Sequence, residues 1–280
     1  MFTATVERGP VSALVALVAR SERIVVISGA GCSTDSGIPD YRDTDGGWKR
    51  SPPMRFQQFV ESAANRKRYW ARSMAGWNLV ARARPNDAHH ALARLEEMGK
   101  LRLLITQNVD GLHQKAGSRN VIDLHGRIDR VRCLGCNLGL ERSEFQVDLL
   151  SANPEWRARQ AGYAPDGDAD LQAVSFEDFQ LPDCASCGGV LKPDVVFFGE
   201  SVPKPRVGRA MAGLVEADAL IIVGSSLMVW SGYRFVKAAR QHGIPVAALT
   251  LGKTRADGEL TLKVVAPCGP TLARLIEAAL

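Results

Sequence analysis

Short apolar runs, each followed by a polar turn or a stretch with helical spacing, set the pattern of this chain. Strand-like runs lie at residues 23–28 (RIVVIS), 101–106 (LRLLIT), 121–124, 219–223 (ALIIV), 246–251 (VAALTL) and 263–265. Helical spacing is found at residues 13–19, 88–98, 235–241 and 271–279. Strands that alternate with helices are typical of a mainly parallel sheet covered on both faces. We therefore predict a doubly wound α/β fold, in which ligands bind at the carboxyl ends of the strands.

Two stretches interrupt this alternation. Residues 49–84 carry arginine, tryptophan and methionine at helical spacing, which predicts a small helical insert. Residues 127–198 contain two Cys-x-x-Cys pairs with a long polar stretch between them, including 165–170. A structureless loop of that length is uncommon inside a compact domain, so we predict a separate small module there. The remaining segments are assigned to the domain of the parallel sheet: 1–48, 85–126 and 199–280.

The paired cysteines predict a metal site. Four thiolates in two Cys-x-x-Cys pairs form a complete tetrahedral set for one Zn²⁺ ion, with no open position for water. The ion is therefore expected to be structural, contributing on the order of 10 kcal/mol to the folding of a module with little core. The alternative is four unrelated buried cysteines. The four predicted ligands are Cys133, Cys136, Cys184 and Cys187.

Charge and composition exclude several classes of protein. The net charge is +5, with the basic residues dispersed along the chain, and no nucleic-acid motif is present. No apolar run reaches the roughly 18 residues that a membrane span requires. Six cysteines in a chain without a recognisable signal peptide favour metal binding in a reducing compartment over disulfides. We therefore expect a cytoplasmic protein that binds neither nucleic acid nor membranes.

A glycine-rich segment, SGAGCSTDSGIPDYR, follows the first strand at residues 28–42. Gly29 and Gly31 would let the backbone approach a diphosphate, and a following helix would offer free N–H groups. Thr34 stands where the dinucleotide fingerprint has its third glycine, so an ordinary turn is the alternative. Cys32 in this segment is either a small packing residue or the activated thiol of a Cys–His hydrolase. Further Gly or Ser turns after two other strands suit one extended ligand such as a dinucleotide: 224–226 and 252.

A polar strand end and a histidine are the candidates for chemistry. Gln107, Asn108 and Asp110 follow a buried strand, where they can hydrogen-bond ribose hydroxyls or a carboxamide; a polar turn is the alternative. His125 follows the short strand at 121–124 and reaches the same sheet edge, which makes it the best general base in the chain. Its alternative role is to cap that strand. Two other histidines at a helix start, His89 and His90, are expected to be solvated.

The motifs GAGCSTDSGIPDYR, TQNVDGLH, LHG, the two Cys-x-x-Cys pairs, KPDVVFFGE and GSS occur together in the order found in sirtuins. The chain is thus identified by resemblance as a sirtuin over about residues 20 to 270. The segments RYWARSMAGW, PDGD and SSLMVWSGYRF resemble class II sirtuins, particularly the bacterial relatives of the mitochondrial lipoamidase/ADP-ribosyltransferase sirtuin. The resemblance implies a Rossmann-like NAD-binding domain beside the zinc module.

The resemblance also implies an activity. Sirtuins are NAD-dependent protein-lysine deacylases: nicotinamide leaves, the acyl oxygen attacks the ribose, and the products are free lysine and O-acyl-ADP-ribose. Acyl-lysine proteins would be the partners of a chain that we expect to be a monomer. A protein mono-ADP-ribosyltransferase using the same NAD site is the main alternative. An idle NAD or ADP-ribose sensor, a dehydrogenase and the Cys–His hydrolase are weaker ones.

Functional residues carry over by position. His125 matches the base, and Asn108 and Asp110 match the nicotinamide end. The implied NAD contacts are Gly29, Ala30, Gly31, Asp40, Tyr41, Arg42, Gln107, Asn108, Val109, Asp110, Gly224, Ser225, Ser226, Leu251, Gly252 and Cys268. The implied substrate contacts, with the peptide added as a strand between 195–200 and 226–230, are Val195, Phe197, Phe198, Gly199 and Val229.

Three positions refine the comparison with the family. Tyr41 stands where many relatives have phenylalanine, and Thr250-Leu251 replaces an asparagine-containing ending on the adenosine side. Tyr69 and Arg72 resemble the acidic-acyl selector of desuccinylase-type sirtuins, and residues three apart share one face of a helix. We therefore expect acyl groups larger than acetyl, including branched dicarboxylic ones, to be accepted. The alternative is a packed Tyr69 beside a solvated Arg72.

Overall fold

The computed structural model describes residues 9–49, 52–156, 162–163, 169–171 and 174–279. Its helices are α1 (Val11–Arg20), α2 (Phe56–Glu61), α3 (Ala63–Arg82), α4 (Asp87–Glu97), α5 (Leu112–Lys115), α6 (Arg142–Ala152), α7 (Lys204–Val215), α8 (Trp230–Gln241) and α9 (Cys268–Ala279). Its strands are β1 (Ile24–Ser28), β2 (Leu101–Thr106), β3 (Val121–Asp123), β4 (Gly126–Cys133), β5 (Gly139–Glu141), β6 (Gly162–Tyr163), β7 (Ala169–Asp170), β8 (Leu191–Val195), β9 (Ala219–Val223), β10 (Val246–Leu249) and β11 (Leu262–Val264). No described helix is long and apolar enough to cross a membrane.

Six parallel strands form the central sheet, in the order β11-β10-β9-β1-β2-β3. The chain runs from β1 outward to β3 on one side, and later from β9 outward to β11 on the other. The strand order therefore reverses between β1 and β9. Ser28 at the end of β1 lies beside Thr106 and Val223, the last residues of its two neighbours. A crevice at this reversal point is where doubly wound sheets bind ligands.

The sheet is apolar on both faces because alternate side chains of each strand point to opposite sides. On one face, Val26 belongs to a core with Leu92 of α4 and Leu272 of α9. On the other, Ile27 belongs to a core with Phe235 of α8. The predicted doubly wound α/β fold is confirmed.

A smaller lobe is built from the predicted insert and the cysteine-containing module together. Strands β4, β5 and β8 form an antiparallel sheet, and α2, α3 and α6 pack on one shared core with it. Trp70 of α3 is fully buried there and its indole N–H donates to Leu191 O of β8 (3.0 Å). The insert thus folds onto the module. The segment boundaries themselves stay a prediction, and Arg50, Ser51 and the PDGD segment (165–168) lie outside the described residues.

Three local expectations were wrong. The helix expected after the glycine segment is instead two 3-10 turns, Ala30–Cys32 and Thr34–Ser36, since Gly37 has φ 83° and leaves the helical region. Strand β10 ends at Leu249, and Leu251 beyond it is 59% exposed. His89 is fully buried instead of solvated. It belongs to the cap of α4: Asn86 is the capping residue, and the Asn86 backbone N–H donates to His89 Nδ1 (3.2 Å).

Candidate active site and metal centre

The glycine segment after β1 packs directly against the loop after β9. The Gly29 amide donates to Val223 O (3.0 Å), and the Gly31 amide donates to Gly224 O (2.8 Å). A β-carbon on Gly31 would lie 2.9 Å from Gly224 O, closer than real side chains come. Glycine is therefore needed where these two backbones meet, and the contact forms one wall of a cleft at the carboxyl end of the sheet.

The polar residues after β2 are held across that edge. Gln107 Nε2 donates to Ser225 Oγ (2.6 Å) after β9. Asn108 Nδ2 donates to Gly29 O (3.1 Å) and to Ser33 Oγ (2.9 Å) after β1. Since the ends of three strands are tied by these amides, the side chains are preorganised before a ligand arrives.

Asp110 lies deeper than its two neighbours. Its carboxylate accepts hydrogen bonds from Ser33 Oγ (2.8 Å) and from the Leu112 amide (2.9 Å). Burial raises the pKa of Asp110, and these two hydrogen bonds oppose the rise. Ser33 therefore joins Asn108 to Asp110. Sequence reasoning missed it because nothing but its position in the glycine segment marks it.

His125 has a defined tautomer. Its Nδ1 lies 3.0 Å from Gln107 O, and because a carbonyl only accepts, Nδ1 carries the proton. Nε2 is then a bare lone pair, and it accepts a hydrogen bond from Ser231 Oγ (2.7 Å). Burial, together with the charges of Arg206 and Arg234, lowers the pKa of His125 to about 4. At neutral pH this residue is a neutral base that already faces a hydroxyl.

Ser231 is the second functional residue that sequence reasoning missed. It lies in the first turn of α8, which begins at Trp230, five residues before the helix expected from the spacing. Helical spacing could not signal it, because the contact with His125 joins positions 106 residues apart.

The loop between Ile38 and Lys49 borders the cleft with Asp40, Tyr41 and Arg42. The Arg42 guanidinium lies 3.9 Å from the centroid of the Trp48 ring, and its Nη1 donates to Gly46 O (2.7 Å). Trp48 also packs edge-on against Tyr41 (6.3 Å) and Phe198 (5.5 Å). One indole therefore touches residues predicted for the cofactor side and for the substrate side.

The predicted adenosine side is formed by the loops after β9 and β10. The Lys253 amide donates to Thr44 O (2.7 Å), which packs the loop after β10 on the loop that carries Arg42. Cys268 at the start of α9 is buried, and burial raises its pKa to about 12, so it is a neutral thiol. It borders the cleft by packing.

One of the predicted substrate segments contacts the sheet edge that carries His125. The Val196 amide donates to His125 O (2.7 Å), and Tyr69 packs against Phe197 with ring centroids 5.2 Å apart. Tyr69 lines the cleft, whereas Arg72 is half-buried and is not among the described residues that line it. The structure therefore does not bring these two side chains to the same part of the cleft wall.

A single cleft of about 910 Å³ collects the predicted positions. All residues predicted to contact NAD border it, as do His125 and every predicted substrate residue except Arg72. Cys32 is absent from the lining; it is 2% exposed, and burial raises its pKa well above the ordinary value. The structure thus favours the packing role for Cys32 over an activated thiol.

The four predicted zinc ligands come together in the small lobe. The ligand atoms of Cys133, Cys136, Cys184 and Cys187 all lie within 4.8 Å of one another. Their thiol sulfurs approach in pairs, at 3.5 Å and 3.7 Å.

The surroundings of this cluster suit a tetrahedral metal. The Gly135 and Cys136 amides both donate hydrogen bonds to Cys133 Sγ (3.3 and 3.5 Å), which stabilises a negatively charged sulfur such as a metal-bound thiolate. A β-carbon on Gly189 would come within 2.9 Å of Cys133 Sγ, so the backbone closes tightly around the sulfurs. The four-thiolate set fits a closed structural Zn²⁺ site.

Comparisons with known proteins agree with this geometry. A family model described as the Sir2 family matches residues 29–231. An NAD-dependent protein deacetylase of Xanthomonas campestris pv. campestris (strain 8004) is 59% identical over 275 residues, covering 98% of this chain and 93% of that relative. The NAD-dependent protein deacylase Sirt4 of Drosophila melanogaster is 45% identical over 257 residues, covering 91% of this chain and 82% of that relative.

Solved structures give the same answer. A Sir2–p53 peptide–NAD⁺ complex matches with a TM-score of 0.77 at 28% identity, covering 96% of this chain and 98% of that one. A second Sir2 enzyme structure matches with a TM-score of 0.77 at 32% identity, covering 96% and 97%. By the matching family model and by relatives along nearly its whole length, this chain belongs to the Sir2 family.

Proposed function

We propose that this chain is an NAD-dependent protein-lysine deacylase in which His125 is the general base. The single observation that carries the proposal is the neutral His125. Its Nε2 lone pair faces the Ser231 hydroxyl inside the cleft that the glycine segment borders. Bound NAD would supply the ADP-ribosyl group that takes the acyl group from lysine; one water is consumed, and the products are free lysine, nicotinamide and O-acyl-ADP-ribose.

The chain's own residues divide the work of this reaction. His125 accepts a proton at Nε2 from a ribose hydroxyl, and Gln107 O keeps the opposite ring nitrogen protonated during that transfer. Asn108 and Asp110, which are fixed through Ser33, orient the nicotinamide end.

The protein substrate binds in the gap between residues 195–200 and 226–230. Both segments border the cleft, and the first continues from the edge of β8. An extended peptide there gains main-chain hydrogen bonds as an added strand, while its acyl-lysine side chain enters the cleft. The zinc site stabilises the lobe that carries the first segment and performs no chemistry.

The alternative, protein mono-ADP-ribosyltransfer from the same site, is not favoured by the names of the relatives, which are deacetylases and a deacylase. The two activities differ in product. A deacylase releases unmodified lysine, whereas a transferase leaves ADP-ribose on the protein.

The acyl preference is a finer part of the proposal. Tyr69 borders the cleft in an aromatic group with Phe59 and Phe197, which supports acyl groups larger than acetyl. The role of Arg72 in choosing acidic acyl groups stays a prediction. Kinetics on a panel of neutral and acidic acyl-lysines test it: unchanged preference in Arg72→Ala removes Arg72 from the selector.

The compartment and assembly state complete the proposal. We infer a cytoplasmic monomer that acts on acyl-lysine proteins and engages neither nucleic acid nor membranes. All six cysteines are free, four of them clustered as a metal set, which supports a reducing compartment.

The experiment that tests the function is mass spectrometry of acyl-lysine peptides incubated with NAD. We expect NAD-dependent loss of the acyl group with the wild type, and a decrease of about 10²–10⁴-fold with His125→Ala. His242→Ala, at an exposed histidine after α8, is the matched control and keeps wild-type activity. If no peptide in the panel loses its acyl group with NAD, the proposal is wrong.

A further inference from the structure

His125 belongs to a second arrangement that deacylation does not require. Ser231 Oγ lies 2.7 Å from His125 Nε2, and His125 Nδ1 lies 3.0 Å from Gln107 O. A serine hydroxyl paired with a histidine whose other nitrogen is fixed by an acceptor is the arrangement that activates serine nucleophiles. Here a backbone carbonyl occupies the place of the acid that usually orients the histidine.

The direction of the hydrogen bonds matches that chemistry. Because Nδ1 donates to the Gln107 carbonyl, Nε2 can only accept, and so the Ser231 hydroxyl must be the donor. The serine proton therefore already points at the base. Burial lowers the pKa of His125, which keeps this lone pair free of a competing proton at neutral pH.

Groups that can stabilise an oxyanion lie on the same helix. Ser231 is the second residue of α8, where backbone N–H groups have no acceptor four residues earlier. Arg234 lies one turn further on the same face and borders the cleft. Its Nε atom is buried without a hydrogen-bond partner among the described residues. The positive charge of Arg234 is one of the causes that lower the pKa of His125, so it acts at the Ser231–His125 pair and can stabilise a developing anion there.

We propose that Ser231, His125 and the Gln107 carbonyl form a hydrolytic triad that cleaves acyl esters in this cleft without NAD. Ser231 Oγ attacks the ester carbonyl while its proton passes to His125 Nε2. The resulting oxyanion is held by the Ser231 amide and Arg234. Its collapse breaks the ester C–O bond, and His125 returns the proton to the departing alcohol.

The second half of the cycle uses water. A water molecule attacks the acyl group on Ser231 and gives its proton to His125. The carboxylic acid then leaves, and Ser231 takes the proton back, so atoms and charge balance over the cycle. Since this reaction and the proposed deacylation share His125 and one cleft, NAD is expected to inhibit the ester hydrolysis competitively.

The test uses the zinc-loaded full chain with p-nitrophenyl acetate and no NAD. We expect hydrolysis that falls on the order of 10²-fold in Ser231→Ala and in His125→Ala. Ser201→Ala, on a serine at the exposed rim of the same cleft, is the matched control and keeps the wild-type rate. Rates that are equal in the wild type and Ser231→Ala, with Ser231→Ala folded by circular dichroism, overturn the proposal.

A labelling experiment on the wild type removes any dependence on how the variants fold. A fluorophosphonate probe forms a P–O bond to an activated serine and expels fluoride, while the base takes the serine proton. We expect peptide mass spectrometry to find the phosphonyl group on Ser231, and NAD to protect it. No label on Ser231 overturns the proposal. Neither readout involves deacylation, so this proposal and the NAD-dependent function can fail separately.

Discussion

The two lobes of this molecule are stabilised in different ways. The large lobe has a six-stranded sheet with an apolar core on each face, represented by Leu104 and Phe235, both fully buried. The small lobe has short strands, one core, and four cysteines on two tight turns. Burial of apolar surface supports the first, whereas the second adds a metal to a limited core. The residues proposed for catalysis follow strands of the large lobe, and the small lobe contributes one wall of the cleft.

The comparison is tested most severely by removing the metal. Cys184→Ser breaks the tetrahedral set, and we expect the small lobe to lose on the order of 10 kcal/mol and to unfold. Proteolysis should then cut within residues 126–195, deacylation should be lost, and bound zinc measured by mass spectrometry should disappear. The large lobe should still melt cooperatively. A zinc-free variant that deacylates at the wild-type rate would contradict the structural role of the metal.

The large lobe is tested by creating a cavity in its core. Leu104→Ala removes a fully buried side chain from β2, and we expect the free energy of unfolding to fall by about 2–5 kcal/mol. Urea denaturation measures this, and zinc content serves as the control because the cysteine site should stay loaded. If the variant loses zinc before the large lobe unfolds, the stability of the small lobe depends on the core of the large lobe.

The contact between the turns at Gly31 and Gly224 also lies in the large lobe, and a mutation there is expected to have a smaller effect on stability. In Gly31→Ala the new methyl would lie 2.9 Å from Gly224 O and force the turns apart. We expect a loss of about 1–3 kcal/mol in stability and weaker NAD binding, measured by calorimetry. Gly37→Ala has no atom within 4 Å of the new methyl, although its φ of 83° adds strain. It should therefore lower stability without the same loss of NAD affinity.

The smallest effect at neutral pH comes from protonation of His125. Its pKa is about 4 in the folded protein and about 6.5 when unfolded, so between these values the unfolded chain binds more protons. Stability is therefore complete above pH 6.5 and falls as the pH drops towards 4. From pH 7 to 6 this costs below about 1 kcal/mol. His125→Gln should reduce the slope of the urea midpoints over that range, and the slope that remains should come from His89 and His113, whose pKa values burial also lowers. An identical profile in both proteins would exclude His125 as a source.

The same pKa value makes a kinetic prediction. The acid limb of the pH profile of kcat/KM reports the pKa of the base in the free enzyme. Its midpoint should lie near pH 4 instead of 6.5, because His125 stays neutral down to that range. A limb at 6.5 would mean that the base is a solvated histidine.

Sequence predicted the fold well where local patterns determine it. The strand runs around residues 24–28, 101–106 and 219–223 are apolar because the strands are buried on both faces, and their bounds follow. The paired cysteines likewise predict their ligand set by spacing alone, and the structure brings the four sulfurs together.

Sequence reasoning failed where the contact is long-range. Ser231 and His125 touch across 106 positions, and Ser33 reaches Asp110 across 77, so no local spacing reports either pair. His89 was expected to be solvated because it stands at a helix start, but α4 packs that turn into the core. The insert and the module share a core for the same reason: Trp70 meets Leu191 from a distant part of the chain.

The position of Trp48 has a thermodynamic consequence. One ring contacts Arg42 and Tyr41 on one side and Phe198 on the other. If the peptide and the dinucleotide bind on these two sides as proposed, a peptide that shifts Phe198 also acts on the ring against which the Arg42 guanidinium lies. Linkage is reciprocal: whatever factor the peptide contributes to dinucleotide affinity, the dinucleotide returns to the peptide. Trp48 is therefore the residue through which we expect binding of the two substrates to be coupled.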